Sequence, residues 1–291
     1  MVQIVDSLAS ISDRYDALFC DLWGCLHDGL RPFPEAVEAL RGFRAKGGKV
    51  VLLTNAPRPR ASVERQLDEQ IGVPRDCWDV IATSGDSARA AMFRGVVGEK
   101  VWFMGQDYDL TFFEPLKIID DPVDVRRVPL EDATGIACLG PFDAHANPDV
   151  NRPEFLFAKQ KGLKLLCANP DIVVDRGETR EWCAGALAKL YTEMGGESLY
   201  FGKPHPPVYD LARRRLAALD SPISDDRILC VGDGIITDIK GALGEDLDSL
   251  YITGGLAREE TKTSRQPEQD ALDAYIQSQQ LTPTYAIGYL R

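Results

Sequence analysis

The sequence predicts an α/β fold, in which helices cover both faces of a doubly wound, mostly parallel, Rossmann-like sheet and a smaller α/β cap domain is inserted. Three observations predict it. Short, continuously apolar runs recur along the chain, helix-like stretches separate them, and polar or glycine-rich residues end them abruptly. Continuous apolarity is typical of strands that are buried on both faces. Alternation of strand and helix favours a parallel sheet.

The apolar runs define the expected strands. In chain order they are ALFCDLWG at 17–24, KVVLLTNAP at 49–57, DVIATSGD at 79–86, KVWFMGQD at 100–107, GIACLGPFD at 135–143, LKLLCANPD at 163–171, SLYFGKP at 198–204, RILCVGDG at 227–234 and SLYITGG at 249–255. PTYAIGYL near the end of the sequence is a plausible last strand. Right-handed crossovers then bring the carboxyl ends of the strands to one edge, where ligands bind.

The helix-like stretches carry ordinary start and stop signals. Pro34 opens the first, its apolar Val37, Leu40 and Phe43 fall on one helical face, and a glycine pair follows it. A chain of 291 residues is large for one hydrophobic core. We therefore expect a core domain formed by residues 1–96 and 181–291, with the cap inserted at 97–180.

Charge and composition limit the function. The net charge is −12 and no long Lys/Arg cluster occurs, which argues against nucleic acid but not against a small phosphorylated substrate. No apolar run is long enough for a membrane helix, and the N-terminus lacks signal-peptide features, so we expect no membrane association and a cytoplasmic protein. The seven cysteines contain no CxxC pair. Reduced, buried thiols are the simpler interpretation, and a zinc or redox site is the alternative.

Candidate chemical groups stand at the polar ends of four apolar runs. These groups are Asp21, Thr54-Asn55, Lys203 and Asp233. Phosphoryl transfer needs a nucleophile, a cation and donors for the phosphate oxygens. Two carboxylates suit magnesium, while a hydroxyl, a backbone N–H and an ammonium suit the phosphate. Asp238 is placed to orient metal-bound water or Lys203.

Four motifs in order resemble the haloacid dehalogenase superfamily of aspartate-nucleophile phosphatases. They are Asp-x-x-Gly at 21–24, Leu-Leu-Thr-Asn at 52–55, Gly-Lys-Pro at 202–204 and Gly-Asp-Gly-x-x-Thr-Asp at 232–238. The long insertion, ANPD at 168–171 and the ending PTYAI resemble its class IIA subgroup. That subgroup includes nitrophenyl-phosphatase-like, sugar-phosphate and pyridoxal-phosphate phosphatases, and it often pairs through the cap. The resemblance therefore implies a small phosphorylated metabolite as substrate and makes a homodimer a reasonable expectation.

The resemblance also implies residue roles. Asp21 would attack phosphorus, form an aspartyl-phosphate and bind magnesium. Asp233 would be the second carboxylate ligand. Thr54, Asn55 and Lys203 would hold the phosphoryl group. Asp238 would not bind the metal directly and would orient metal-bound water or Lys203.

One residue departs from the family pattern. The first motif normally reads Asp-x-Asp-Gly, and here position 23 is tryptophan. The backbone carbonyl of Trp23 still suits the metal, but indole cannot replace a carboxyl group that donates and accepts a proton. His27 is one substitute acid/base, and an ordinary residue of a small hairpin flap is the equal alternative.

Trp23 is also compatible with two further hypotheses. Either the substrate has a good leaving group, or the protein binds a phosphorylated ligand with little turnover. The leading hypothesis is a magnesium-dependent phosphatase, and the alternative is a catalytically attenuated binding protein. A carbon–halogen hydrolase fits less well, because Lys203, Asp233 and Thr54 suit phosphate and metal.

Overall fold

The computed structural model describes residues 2–116, 121–176, 179–219 and 222–291. The chain divides into two compact units. The first unit contains Met1–Thr54, Glu64–Ala82 and Lys203–Arg291, and the second contains Asn55–Val63 and Thr83–Gly202. Both are built mostly from parallel strands and helices, which confirms the predicted α/β class.

Most strands coincide with the apolar runs of the sequence, whereas Gln3–Ile4, Arg126–Arg127, Val173–Arg176 and Thr179–Trp182 lie outside them. The strands are β1 Gln3–Ile4, β2 Ala17–Cys20, β3 Lys49–Thr54, β4 Val80–Thr83, β5 Lys100–Met104, β6 Arg126–Arg127, β7 Gly135–Cys138, β8 Lys164–Cys167, β9 Val173–Arg176, β10 Thr179–Trp182, β11 Glu197–Tyr200, β12 Ile228–Gly232, β13 Asp248–Ile252 and β14 Tyr285–Ile287. The helices are α1 Pro34–Ala45, α2 Arg60–Gln66, α3 Ser84–Phe93, α4 Arg152–Gln160, α5 Ala184–Glu193, α6 Pro206–Ala217, α7 Lys240–Gly244 and α8 Gln269–Gln279. Among the described residues, no helix is both long and apolar enough to cross a membrane.

The first unit is organised by a seven-stranded sheet in the order β1-β14-β13-β12-β2-β3-β4. Strand β2 lies between β12 and β3 and is parallel to both. The register sets Cys20 level with Val231 on one side and with Leu52 on the other. The residues that follow these three strands therefore emerge together at one edge of the sheet.

The second unit has a five-stranded parallel sheet in the order β11-β8-β7-β5-β6, and a separate antiparallel pair, β9 and β10. Strand β11 pairs with β8 along its full length, from Glu197 beside Lys164 to Tyr200 beside Cys167. Helix α3 packs in the same cluster as β5, β7 and β8, through its Ala88, Met92 and Phe93. The second unit therefore extends beyond the predicted 97–180 segment at both ends, because these flanking elements bury their apolar faces in its core.

The core of the second unit generates a stability prediction. Phe155 in α4 is fully buried, and its ring centroid lies 5.2 Å from that of Tyr191. We expect Phe155→Ala to lower the free energy of unfolding by about 3–5 kcal/mol, because it leaves a cavity. Urea denaturation followed by circular dichroism measures this change. Phe157 lies two residues along α4 and is 40% exposed, so Phe157→Ala should cost much less. Equal losses in the two variants would contradict this packing.

Candidate active site

Three neighbouring strands bring the first group of candidate residues together. Asp21 follows β2 directly, and its backbone N–H donates to the carbonyl of Val231 in β12 at 2.8 Å. Thr54 is the last residue of β3, and Asp233 follows the last residue of β12. All three side chains are buried. The continuous ladder between β2 and β12 explains why two carboxylates distant in sequence lie at the same edge of the sheet.

Lys203 lies between two carboxylates. Its Nζ donates to Asp21 Oδ1 and to Asp238 Oδ1, both at 2.7 Å. The Lys203 side chain is 3% exposed, so both contacts are shielded from water. Asp238 is itself held at its other oxygen, since Oδ2 accepts from the Gly234 N–H at 3.1 Å and from the Thr237 hydroxyl at 3.3 Å. Asp238 therefore fixes the ammonium of Lys203 beside Asp21.

Asp233 occupies a tight cleft in the backbone. Its Oδ2 accepts from the Leu256 N–H at 3.1 Å. Gly24 has a φ of +71°, and a Cβ at that position would lie 2.1 Å from Asp233 Oδ2. A Cβ at Gly255 would lie 2.0 Å from the same oxygen. The glycine of the first motif is therefore needed both for its left-handed conformation and for the close approach of Asp233.

The electrostatics of this edge favour a bound cation. Burial first, and then the charges of Asp21 and Asp238, raise the pKa of Asp233 well above its usual range. Lys203 supplies a single positive charge to this group of three carboxylates, which leaves an excess of negative charge in a buried place. A divalent cation near Asp21 and Asp233 would remove that excess, and their carboxylate oxygens are ligands that magnesium accepts.

Cys25 is a third potential metal ligand, which the sequence analysis did not predict. Ligand atoms of Asp21, Cys25 and Asp233 all lie within 4.8 Å of one another, and the three residues are buried. Burial, followed by the charges of Asp233 and Asp21, raises the pKa of the Cys25 thiol well above its usual range. The only signal in the sequence is that Cys25 directly follows the glycine of the first motif.

Trp23 and His27 form the base of a tight turn. The Gly29 N–H donates to His27 Nδ1 at 3.0 Å, and the Trp23 and His27 rings meet edge to face with centroids 5.2 Å apart. Asp28 Oδ1 accepts from the N–H groups of Leu30 and Arg31, both at 2.9 Å, which closes the turn. These contacts form the compact turn to which His27 belongs.

The surroundings of His27 favour its structural role. The side chain is 1% exposed, and burial lowers its pKa to about 4. The imidazole is therefore neutral near pH 7, and its Nδ1 is committed to the Gly29 N–H. A base with this pKa accepts a proton poorly at neutral pH. The acid/base interpretation of His27 consequently has no support from the geometry.

Thr54 and Asn55 fall on either side of the boundary between the two units. The Asn55 side chain belongs to the second unit, where its Nδ2 donates to Asp171 Oδ1 at 2.8 Å. The Asp171 N–H donates in turn to Asn169 Oδ1 at 3.1 Å. The Asn55 amide therefore supports the Asn169-Pro170-Asp171 turn, whereas the phosphate contact expected of Asn55 involves its backbone N–H.

Comparisons with known proteins agree with the four motifs. Residues 18–118 match the family profile described as haloacid dehalogenase-like hydrolase, and residues 200–277 match a related profile described as HAD-hydrolase-like. A crystal structure of a hydrolase of the haloacid dehalogenase-like family from Brucella suis 1330 is 34% identical. The similarity covers 99% of this chain and 100% of that chain, with a TM-score of 0.85.

Two relatives have named activities. D-glycerol 3-phosphate phosphatase of Mycobacterium tuberculosis (strain ATCC 25618 / H37Rv) is 26% identical over 257 residues, which is 86% of this chain and 66% of that protein. The chain thus spans slightly less than two thirds of the mycobacterial protein. Ribonucleotide monophosphatase NagD of Escherichia coli (strain K12) is 24% identical over 242 residues, which is 82% of this chain and 88% of NagD.

The burial of His27 generates a prediction on pH. The pKa of His27 is about 4 in the folded protein and about 6.5 in an unfolded chain. Above pH 6.5 both states are neutral at this residue. Between these two values the unfolded state binds the proton first, so stability falls as the pH falls. His27 should remove about 2 kcal/mol of unfolding free energy between pH 7 and pH 5.

Urea denaturation at the two pH values checks this contribution. Asn carries an acceptor that replaces Nδ1 but does not titrate, so His27→Asn should reduce the pH-dependent loss by about 2 kcal/mol. His145 is exposed, and His145→Asn is the matched control that should keep the wild-type dependence. If wild type and His27→Asn lose the same stability, His27 is not buried as a neutral group.

Proposed function

Because the chain belongs to the haloacid dehalogenase-like hydrolase family, as its motifs predicted, we propose that it is a magnesium-dependent phosphatase of a small phosphorylated metabolite. The named activities of the mycobacterial and Escherichia coli relatives support this class of reaction. The observation that carries the proposal is the contact of Lys203 with Asp21, beside the buried carboxylate of Asp233. The proposed reaction needs a nucleophile, a positive charge and a metal-binding group, and these three side chains can supply them.

The residues present fit magnesium. Asp21 and Asp233 would hold the ion through carboxylate oxygens, and Trp23 would add its backbone carbonyl, which its side chain does not affect. The raised pKa of Asp233 reflects the crowding of like charges, and a cation relieves that crowding. When bound, magnesium would screen the repulsion between Asp21 and the phosphate oxygens.

Asp21 is the nucleophile in this mechanism. One of its carboxylate oxygens attacks phosphorus, and the new O–P bond forms as the bond to the leaving alcohol oxygen breaks. Lys203, the Thr54 hydroxyl and the Asn55 N–H would offset charge on the phosphoryl oxygens. Water then attacks phosphorus in the aspartyl-phosphate, which releases inorganic phosphate and restores Asp21.

Proton transfer distinguishes this chain from the usual pattern. The leaving alcohol needs a proton unless it is stable as an anion, and the attacking water must lose one. Trp23 cannot exchange a proton in this range, and His27 is a neutral residue of the turn with its Nδ1 occupied. We therefore propose that phenolic esters and acyl phosphates are better substrates than alkyl phosphates. The same observation favours the second candidate function, a binding protein for a phosphorylated ligand with little turnover.

Asp21→Asn tests the nucleophile. The variant should lower kcat at least about a thousandfold on 4-nitrophenyl phosphate, because the amide cannot form the aspartyl-phosphate. Wild-type activity should also disappear with a chelator and return with magnesium. Asp16 lies just before the first residue of β2, at the end of the strand away from Asp21, and pairs with Arg227 at the surface. Asp16→Asn is therefore a matched control that should keep activity. Activity that survives Asp21→Asn unchanged would remove the proposed mechanism.

Trp23→Asp tests the missing proton transfer. A carboxyl group at this position should raise kcat on alkyl phosphates by about 10²–10⁴-fold and should change 4-nitrophenyl phosphate much less. Trp23→Asn removes the indole without adding an acid and is the control. If both variants behave alike, proton transfer does not limit turnover. If wild type is inert on a panel of phosphorylated metabolites and Trp23→Asp is active, the binding function replaces the enzymatic one.

A further inference from the structure

A thiol lies beside the carboxylates that we assign to magnesium. Ligand atoms of Asp21, Cys25 and Asp233 are within 4.8 Å of one another. Cys25 is 1% exposed, and within the described part of the chain its Sγ has no hydrogen-bond partner. Cys25 therefore presents a buried, unpartnered sulfur to a pair of buried carboxylates.

Hydrogen bonds on both sides fix the backbone of Cys25. The Gly24 N–H donates to the His27 carbonyl at 3.0 Å, and the Leu26 N–H donates to the Leu22 carbonyl at 2.8 Å. Gly24 also lies against Asp233, as the 2.1 Å approach of a Cβ there demonstrates. The turn that carries Cys25 is thus closed by hydrogen bonds and seated on one of the two carboxylates. Because the ligand atoms already lie within 4.8 Å of one another on this backbone, little backbone rearrangement is needed for the sulfur to become a ligand.

Sulfur changes which metals this group of atoms prefers. Magnesium takes oxygen ligands and keeps several waters, and it gains little from a thiolate. Zinc binds cysteine sulfur and carboxylate oxygen together, and soft cations such as cadmium also favour thiolate. Two carboxylates and one thiol therefore suit a thiophilic divalent cation better than two carboxylates alone.

We propose that Asp21, Cys25 and Asp233 form an inhibitory site for a thiophilic divalent cation, zinc or cadmium, which excludes magnesium. The metal–sulfur bond forms as the thiol proton passes to solvent. Bound zinc or cadmium would also engage the carboxylate of Asp21 and so prevent its attack on phosphorus. The inhibition rests on the proposed function, because it assumes that the same carboxylates serve magnesium and the reaction. Binding itself is measured without any turnover.

Cadmium titration of the full chain, freed of metal by a chelator, tests the binding. The absorbance band of a cadmium–thiolate pair should rise and saturate at one equivalent. Cys25→Ser should lose the band and bind cadmium at least about tenfold more weakly. Cys138 is buried in β7 of the second unit, so Cys138→Ser is the matched control and should keep the band. No saturable band in wild type, or a band that persists in Cys25→Ser, overturns the proposal.

Zinc X-ray absorption on the wild-type protein gives a second test that does not depend on a variant folding. We expect one sulfur neighbour at about 2.3 Å together with oxygen neighbours at about 2.0–2.2 Å. A shell of oxygen or nitrogen alone overturns the proposal.

Phosphatase assays with zinc separate this proposal from the proposed function. Zinc should inhibit wild type at a concentration at least about tenfold lower than it inhibits Cys25→Ser. If the protein shows the cadmium band but no phosphatase activity, the proposed metal site stands and the proposed phosphatase function is wrong. Phosphatase activity without the band would mean the reverse.

Discussion

The buried contact of one ammonium with two carboxylates constrains the first unit more than any other interaction described. Lys203 reaches Asp21 across 182 positions of sequence and Asp238 across 35. A buried charge without a partner is strongly destabilising, so these three groups must meet in the folded chain. Their meeting determines how the end of β2 and the turn after β12 are arranged. The orientation of the Asp21 carboxylate follows from this arrangement.

Cation binding and proton transfer depend on different residues of the site. Carboxylates exceed ammonium groups, so the site has the electrostatics of a cation-binding place even with Trp23 in its first motif. In the proposed function, proton transfer depends on a different feature, a titratable side chain at position 23, which is tryptophan in this sequence. Metal binding and efficient turnover are therefore separate requirements of the proposed function. In that proposal, the residue at position 23 sets the rate of turnover and leaves the carboxylates of Asp21 and Asp233 in place for the metal.

Much of the fold could be predicted, because a buried parallel strand leaves a continuous apolar run that ends where its ligand-facing residues begin. ALFC and ILCVG are such runs, and they located Asp21 and Asp233. The direction in which a side chain points was harder to predict from the sequence. The Cys25 sulfur, the Gly29 contact of His27 and the Asn55 contact with Asp171 depend on partners that a local pattern does not reveal. The extent of the second unit depends on such partners too, since β11 pairs with β8.

The burial of all seven cysteines has a practical consequence for spectroscopy. Bulky maleimides react with thiols at the surface, and this chain presents none in its native form. A single cysteine introduced at an exposed residue such as Val150, which is 63% exposed, would be the only fast-reacting thiol. One fluorophore or spin label could then be attached without first removing native cysteines, which leaves Cys25 and the residues around it unchanged while the labelled protein is observed.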